Sequence, residues 1–392
     1  MRRACLAAVL VLAFPSSAGA DLYVAPAGSA SGSCALPAPC TVARADELAG
    51  PGSTIVVLAG RYGAPTLNAS GTDGARVRWI SSERWGAHFP SVSVNGHFVD
   101  FEGFDVGDSS DTILLNVVGN DSRALGNHVH DQKGTCDGNG AAGIEAQGWQ
   151  DGGYNGHDQE IVGNLVEDIG VGPRDGTCAL VHGIYTAVPR VTVANNIVRR
   201  ALGAGIQAWH AAADNTWVNN TVVDNGWHGL VVGNGDTGAS VGKGFYVANN
   251  IATGNMGYAV AECCSSSVIG PNTYVNNLGW ANRDARVVGS VQNGGTELGS
   301  LNADPLFVSH FTGDYGLRRE SPAVDSGTAI RAPSADYAGT PRPQGAGFDR
   351  GALELVTPAD PSDAKTTRNR AADDPARDWR EFPSFPRLTA EG

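Results

Sequence analysis

An imperfect repeat between Gly143 and Asn277 constrains the fold of this chain more than any other feature. Each unit contains a short β-rich run that ends in asparagine and, further along, a glycine followed by a large apolar residue. The asparagines are Asn164, Asn196, Asn220, Asn250 and Asn277, and the glycines are Gly143, Gly183, Gly205, Gly229 and Gly257. Successive asparagines are 32, 24, 30 and 27 residues apart, so a fixed core carries loops of variable length.

Units of this size, built from short β-branched strands with Gly and Asn at the corners, predict the rungs of a parallel β-helix. One rung cannot bury its apolar face alone, so neighbouring rungs stack at about 4.8 Å and share a continuous core. Asparagines at the corners tolerate left-handed backbone and can bond to the same residue one rung away. The sequence therefore predicts an all-β chain that forms a single solenoid.

The first 20 residues predict an export signal. Arg2 and Arg3 precede an apolar run, and the stretch ends in the small residues Ala18, Gly19 and Ala20, which is the layout of a signal peptide. The apolar run is too short to span a membrane as a mature helix. We expect a secreted, extracellular protein that starts near Asp21.

The charge balance limits the partners of the mature chain. The formal net charge is −13, and it becomes −15 once Arg2 and Arg3 are removed. A chain this acidic is a poor ligand for nucleic acid or for an anionic membrane. We expect a monomer whose partner is an extracellular polysaccharide.

Six cysteines follow the leader, and an exported chain meets an oxidising environment. Cys34 and Cys40 sit on one Pro-rich loop, and Cys136 and Cys178 lie in Gly/Asp-rich insertions one rung apart. We expect each of these two pairs to form a disulfide. The sequence leaves the state of the adjacent Cys263 and Cys264 open.

The two ends of the chain do not share the residue pattern of the repeat. Residues 21–75 predict an N-terminal cap with a short helix at Val42–Leu48, residues 76–300 the rungs, residues 301–355 a C-terminal cap, and residues 356–392 a disordered tail.

The entry LYVAPAGS, the NNTVVDN-type rungs and the closing segment DYGLRRESPAVDSG to FDRGALEL together resemble the secreted right-handed parallel β-helix repeat proteins. That group is related to the β-helical polysaccharide lyases. The resemblance covers nearly the whole mature chain, and it implies a right-handed coil and a carbohydrate substrate.

Alternation along a strand places one residue in two on the outer face. If the apolar residue after each repeat glycine points inward, the next residues form an outward ladder: Glu145, Tyr185, Gln207, Val231 and Ala259. Two residues further on, a second row is Gln147, Ala187, Trp209, Gly233 and Ala261. The residues before the glycines are Ala142, His182, Ala204, His228 and Met256.

Aromatic, amide and histidine side chains on an outer face are typical of a sugar-binding groove. Trp209 can stack on a pyranose ring, and Gln147 and Gln207 can exchange hydrogen bonds with hydroxyls. The predicted substrate-binding set also includes Glu145, His210, His228 and Lys133. A solvated surface is the alternative interpretation of the same residues.

His182 and Tyr185 are the predicted catalytic pair. Elimination from a uronic acid needs a base for the C5 proton, an acid for the leaving oxygen and a group that neutralises the carboxylate. Histidine suits the base, and a nearby tyrosine suits the acid. A corner histidine bonded to backbone and a surface tyrosine would look the same in sequence.

Three alternatives stay open. The calcium-dependent β-helix lyases use a Lys or Arg base, for which Lys133 is the second choice, so calcium remains open as a cofactor. A glycoside hydrolase needs two carboxylates, which Glu145 could form with Asp137, Asp151 or Glu262. A non-catalytic glycan-binding surface protein would use the same face without reacting.

Overall fold

A computed structural model of the protein describes residues 21–138, 140–234, 242–264 and 269–356. The predicted signal peptide and, apart from Val356, the predicted disordered tail lie outside these ranges. The side chain of Cys264 also lies outside them. Those expectations remain predictions.

Three long parallel sheets, of 11, 10 and 9 strands, form the body of the molecule, and the chain visits them in turn on every rung. The first sheet consists of Leu22–Ser29, Thr54–Val57, Val77–Ser81, Val99–Glu102, Arg123–Leu125, Glu160–Val162, Thr192–Ala194, Thr216–Val218, Tyr246–Ala248, Thr273–Val275 and Thr296–Leu298. The second sheet consists of Gly60–Arg61, Ala87–Phe89, Asp105–Gly107, His128–Gln132, Leu165–Ile169, Ile197–Arg199, Thr221–Val223, Ile251–Thr253, Leu278–Trp280 and Leu301–Asn302. The third sheet consists of Thr66–Leu67, Val92–Val94, Ile113–Val117, Ala141–Ala146, Val181–Thr186, Ile206–Ala208, Leu230–Asn234, Val260–Cys264 and Val288–Gly289. This arrangement confirms the predicted parallel β-helix.

The core fills the space that the three sheets enclose. Its largest fully buried side chains include Trp79, Trp217, Tyr274 and Phe101. Apolar side chains on the inner faces form one continuous cluster from the first rungs to the last, as stacked rungs require. Among the described residues, no helix is long and apolar enough to cross a membrane.

An asparagine ladder runs along the corner between the first and second sheets. Each amide Nδ2 donates to the Oδ1 of the next asparagine at 2.9 or 3.0 Å, along the series Asn127, Asn164, Asn196, Asn220, Asn250 and Asn277. The predicted rung-to-rung bonds are therefore confirmed. The left-handed backbone falls one residue earlier, for example at Asn195 and Asn219 with φ of 54° and 55°. In each Asn-Asn pair, one residue makes the turn and the other makes the ladder.

The repeat glycines are needed where the chain enters the third sheet. A Cβ at Gly183 would lie 2.3 Å from Cγ1 of Val198, and one at Gly205 would lie 2.3 Å from Cγ1 of Val222. These glycines therefore face the interior, opposite the valines of the second sheet. Close packing at the corner, rather than an unusual φ, explains their recurrence.

The predicted register is wrong in the last rung. Leu230 pairs with Val260, so the residue equivalent to the repeat glycines is Ala259, and not Gly257. The opposing interior position is Val222 two rungs earlier, Ala252 one rung earlier and Gly279 in this rung, and this loss of volume makes room for the methyl group of Ala259. In this rung the residue in line with Val231 is therefore Ala261, where Ala259 was predicted. The residue in line with His228 is Tyr258, where Met256 was predicted.

The N-terminal segment contains the predicted helix at Val42–Leu48, where Thr41 accepts a hydrogen bond from the N–H of Arg44. The helix packs against Leu22–Ser29, the edge strand of the first sheet. The disulfides Cys34–Cys40 and Cys136–Cys178 are formed, as predicted.

Within the segment predicted as a C-terminal cap, the chain folds back along the side of the coil. It contains the antiparallel pair Phe307–Ser309 and Asp314–Leu317. Its backbone carbonyls accept hydrogen bonds from Asn195 and Asn219 beside the asparagine ladder. Its apolar side chains cover Ile197, Val223, Ile251 and Leu278 of the second sheet. The sequence did not predict this packing. Apolar residues on the outer face of the second sheet look the same in sequence as apolar residues of the inner core, so alternation alone does not show that another segment covers them.

Candidate functional site

The outer face of the third sheet carries a row of polar side chains in register. Asn116 pairs with Glu145, Glu145 with Tyr185, and Tyr185 with Gln207. We call these four residues the polar ladder. Successive members lie on neighbouring strands about 4.8 Å apart, so one sugar residue can contact two or three of them.

His182 joins the ladder because the corner glycine interrupts the alternation. Gly183 faces the interior, so His182 and Tyr185 both point outward although they are three residues apart. Their rings stack with centroids 5.3 Å apart and an interplanar angle of 16°. The two predicted catalytic side chains therefore lie side by side.

His182 is held in its neutral form. Its side chain is 3% exposed, and its Nδ1 has no hydrogen-bond partner among the described residues. Burial lowers the pKa of the imidazole to about 3. At neutral pH the ring is an unprotonated base.

Glu145 lies next to Tyr185 and is also held uncharged over much of the pH range. The residue is 8% exposed, and burial raises its pKa to about 7 because no cation in the described structure compensates its charge. A carboxylic acid in this position can donate a hydrogen bond, which an ionised carboxylate cannot.

The amides of the ladder have hydrogen-bonding capacity left over. The side-chain oxygens of Asn116 and Gln207 are buried without a partner among the described residues. Nδ2 of Asn116 donates a hydrogen bond to Oε1 of Gln147 at 3.2 Å. Buried polar atoms without partners are rare and point to a ligand or a water molecule that completes them.

An aromatic rim borders the ladder. The small hairpin of Trp149–Gln150 and Gly153–Tyr154 places the ring of Tyr154 on His210, with centroids 4.1 Å apart. His210 in turn meets the edge of Tyr185 at 6.0 Å. Trp209 lies over Gly233, where a Cβ would come within 2.8 Å of the indole ring. The sequence analysis missed Tyr154, which an insertion supplies from outside the repeat.

Two predicted binding residues lie away from the His182–Tyr185 pair. His228 is two rungs further along, where its Nδ1 accepts a hydrogen bond from the N–H of Tyr258 at 2.8 Å and burial lowers its pKa to about 4. Lys133 follows a strand of the second sheet, and its Nζ lies 4.0 Å from Oδ1 of Asp108. The structure does not bring Lys133 to the polar ladder.

A second polar cluster, which the sequence analysis missed, lies on the outer face of the second sheet. The carboxylate of Glu167 contacts Nε2 of His128 at 2.9 Å, Nε of Arg199 at 2.6 Å and Nη2 of Arg200 at 2.7 Å. Although burial works in the opposite direction, hydrogen bonding to His128 and the charge of Arg199 lower the pKa of Glu167 to about 2. The only signal in the sequence was the spacing of two histidines in the string His128-Val129-His130.

Two groups of described residues have side chains close enough to hold a metal ion, and neither belongs to the polar ladder. One is His88, Asp105 and His130, and the other is Asp121, His157 and Asp158. The ladder itself contributes one carboxylate, whereas calcium prefers six to eight oxygen ligands.

Comparison with known proteins identifies the fold. The chain matches no protein-family model, and no curated protein matches it. Among solved structures, pectate lyase Pel9A superposes with a TM-score of 0.55 over 85% of this chain and 96% of the lyase, with 17% sequence identity. The protein has the fold of Pel9A.

Two other solved structures superpose on the chain with lower TM-scores. A complex of XylC with xylose has a TM-score of 0.47 and 13% identity, and covers 66% of this chain and 65% of its own. A rhamnogalacturonan lyase has a TM-score of 0.43 and 15% identity, and covers 72% of this chain and 85% of its own.

Proposed function

We propose that the protein is a polysaccharide lyase that cleaves a uronic-acid-containing polysaccharide by β-elimination on the polar ladder. The observation that carries the proposal is the stack of His182 on Tyr185 beside the buried Glu145. A base, an acid and a neutral carboxyl group then lie within the reach of one sugar residue. The shared fold with a pectate lyase supports the proposal without assigning the substrate.

In the proposed reaction His182 removes the C5 proton of the uronic acid, and the C–H electron pair forms the C4–C5 double bond. The C4–O bond breaks, and the hydroxyl proton of Tyr185 passes to the leaving glycosidic oxygen. A proton shift from imidazolium to tyrosinate restores both groups, which their side-by-side packing favours. General acid and base groups placed this way contribute about 10²–10⁴-fold to a rate.

Protonated Glu145 supplies the third requirement. A neutral carboxyl group can donate a hydrogen bond to the uronate carboxylate and so stabilise the negative charge that builds up on it during proton removal. An ionised Glu145 would repel the same group. The amides of Asn116 and Gln207 are available to sugar hydroxyls.

The low pKa of His182 suits a site that lacks fixed charge before substrate binds. The uronate anion raises the affinity of the nearby imidazole for a proton, because an opposite charge within a few ångströms favours the protonated form. The imidazole of His182 therefore becomes a stronger base once the uronate substrate is bound.

Export of the protein belongs to the same proposal. Two disulfides are typical of an oxidising compartment, where extracellular polysaccharides are found. The predicted leader is consistent with this location, and we expect the mature chain to act as a monomer.

The test is a scan of the purified mature protein against pectate, alginate, glucuronan and glycosaminoglycans, with and without calcium, in which the ultraviolet absorbance of the new double bond is followed. We expect absorbance to rise with one of them and to be lost in His182→Ala and Tyr185→Phe. Activity that persists in both variants would keep the reaction class and refute the assigned residues. Activity that requires calcium would revive the lysine-type mechanism.

The remaining outcomes separate the alternatives. Reducing ends released from a neutral glycan, without new absorbance, would indicate a hydrolase, although Glu262 is engaged inside the coil with the hydroxyl of Tyr274 at 2.6 Å and Nδ2 of Asn272 at 3.0 Å. That leaves Asp137 and Asp151 as partners for Glu145. Binding of a glycan without any product would indicate a binding protein.

A further inference from the structure

The outer face of the second sheet gathers metal-ligating side chains from three consecutive rungs. His88 pairs with Asp105, and Asp105 pairs with His128 in the parallel register. His130 lies two residues further along the last of these strands, so it shares the same face. The alternate residues of these two strands, Val106 and Val129, point inward and are fully buried.

The donor atoms of three of these residues already converge. Nδ1 of His88 lies 2.8 Å from Oδ2 of Asp105, and Nε2 of His130 lies 2.8 Å from its Oδ1. One donor atom from each residue lies within 4.8 Å of the other two. A tetrahedral zinc site has ligand atoms about 3.3 Å apart when its bonds are about 2.0–2.1 Å long, so small side-chain movements suffice.

The strand next to His130 leaves room for its ring. Gly107 is the register partner of His130, and a Cβ there would come within 3.2 Å of the imidazole Cδ2. The same Cβ would lie 2.2 Å from the backbone carbonyl oxygen of His130, so a side chain at this position would clash with the strand that carries the ring. The glycine therefore lets the two strands approach, and this brings the imidazole of His130 next to Asp105.

His130 is oriented as a metal ligand usually is. Its Nδ1 lies 2.7 Å from Oδ2 of Asp131, a carboxylate partner of the kind that orients metal-bound histidines. Its Nε2 faces Oδ1 of Asp105, so an ion bound at Nε2 would take the place of the proton between these two atoms. His128 stacks on His130 with centroids 4.2 Å apart, and its Nδ1 lies 3.2 Å from Oδ1 of Asp105. His128 and Asp131 would thus be positioning residues.

Arg61 opposes a metal ion at His88. Its Nη2 lies 2.9 Å from Nε2 of His88. Because a guanidinium only donates, the imidazole proton must sit on the Nδ1 that faces Asp105. A metal ion at Nδ1 requires the other tautomer. The side chain of Arg61 is 72% exposed, so it can turn away into solvent.

We propose that His88, Asp105 and His130 form a binding site for a zinc-class divalent ion, outside the polar ladder. Two imidazole nitrogens and one carboxylate oxygen are a donor set that zinc accepts, with water in the fourth position. Calcium and magnesium prefer a full oxygen shell and fit poorly. The ion would join three rungs through side chains on one face.

The test is a titration of chelator-treated mature protein with Zn²⁺, and with Co²⁺ as a spectroscopic probe. We expect one ion to bind at this site, visible absorption of Co²⁺ typical of tetrahedral coordination, and a higher melting temperature with Zn²⁺. His88→Gln and His130→Gln should each weaken binding about 100-fold or more, since each removes a ligand. The matched control is His310→Gln, because His310 also pairs with a carboxylate, Asp224, at 2.8 Å.

Arg61→Ala tests the site without removing a ligand. The variant should bind Zn²⁺ up to about tenfold more tightly, because the ion no longer displaces one hydrogen bond. A general loss of folding cannot produce this gain. Affinity that Arg61→Ala leaves unchanged or weakens would contradict the proposed contact at His88.

Two results would overturn the proposal. One is the absence of Zn²⁺ binding by wild-type protein at millimolar concentration. The other is binding that survives His130→Gln and is lost in His157→Gln, which would assign the ion to the second group of residues. Lyase activity is not used as a readout, so failure here leaves the proposed function untouched.

Discussion

Glu145 and Glu167 occupy outer faces of neighbouring sheets, and their environments drive them to opposite protonation states. Both side chains are largely buried. Glu145 has no compensating cation among the described residues, and burial raises its pKa to about 7. Glu167 meets His128, Arg199 and Arg200, and its pKa is lowered to about 2.

The difference shows that burial alone does not decide the charge of a solenoid face. Burial penalises the ionised form in both places, and only nearby cations or hydrogen-bond donors reverse the outcome. The histidines follow the same rule, since His182 has a pKa lowered to about 3 by burial, whereas the carboxylates around His128 raise its pKa despite burial.

The comparison also separates two uses of similar side chains. The second-sheet cluster is compensated and cross-links rungs, as a stabilising network would. The polar ladder keeps Glu145 and His182 uncompensated, and such perturbed groups tend to mark functional sites. The following predictions test this division, from the largest expected effect to the smallest.

His182→Gln and His128→Gln should separate activity from stability. The first should lower kcat by about 10²–10⁴-fold, because the base is lost, and should leave the melting temperature nearly unchanged. The second should lower the melting temperature, because Glu167 loses a buried partner, and should leave kcat within about twofold of wild type. Steady-state kinetics and thermal melts of metal-free protein measure both. Equal losses of activity in the two variants would contradict the assignment of catalysis to the third sheet and of stabilisation to the second.

Glu145→Gln and Glu167→Gln should change stability in opposite directions at pH 8. An unfolded glutamate ionises near pH 4.5, while folded Glu145 does so only near 7, so its presence lowers stability as pH rises through that interval. Removing its carboxyl group should add about 1–3 kcal/mol. Glu167 has the opposite sign: its contribution is present above pH 4.5 and is lost as pH falls toward 2. Its replacement should cost about 2–3 kcal/mol.

Urea denaturation of both variants at pH 8 and pH 4 measures these changes. At pH 4 the gain from Glu145→Gln should vanish, because both the folded and unfolded carboxyl groups are then mostly protonated. A destabilised Glu145→Gln variant at pH 8 would show that an interaction absent from the structure holds the carboxylate.

The pH profile of kcat/KM should have a basic limb set by Glu145. Activity should fall about tenfold per unit above pH 7 as the carboxyl group loses the proton that it donates to substrate. The acidic limb should lie well below the ordinary histidine range, since burial lowers the pKa of His182 to about 3. In Glu145→Gln the basic limb should move upward, because the amide remains a donor. A limb that stays in place would assign it to another group.

Trp209→Ala should weaken substrate binding with little change in kcat. Loss of one sugar-stacking ring is worth about 1–1.5 kcal/mol, or roughly tenfold in KM. The control is Trp280→Ala, which removes an indole that is 41% exposed on the second sheet. Oligosaccharide binding measured by calorimetry should distinguish them, and equal effects would remove Trp209 from the site.

The repeat was sufficient to predict the rungs and most of the ladder register. Gly183 and Gly205 recur because the corner has no space for a Cβ, so their spacing correctly aligned Glu145, Tyr185 and Gln207. The last rung was wrong because the space at Ala259 depends on a residue of another sheet, which local spacing does not report.

The metal-ligating residues of the second sheet were missed for a different reason. His88, Asp105 and His128 come from three rungs of unequal length, in the part of the chain where the repeat is weakest. Tyr154 was missed because it belongs to an inserted hairpin. Contacts that depend on loop length or on early, irregular rungs require the folded structure.

The most direct measurement is a carbon-13 NMR titration of the carboxyl groups of Glu145 and Glu167 in metal-free protein, with Glu145→Gln and Glu167→Gln used for assignment. We predict a midpoint near pH 7 for Glu145 and near pH 2 for Glu167. Two ordinary midpoints near 4.5 would contradict the account, because the polar ladder would then carry a charged carboxylate at neutral pH and could not receive a uronate as proposed.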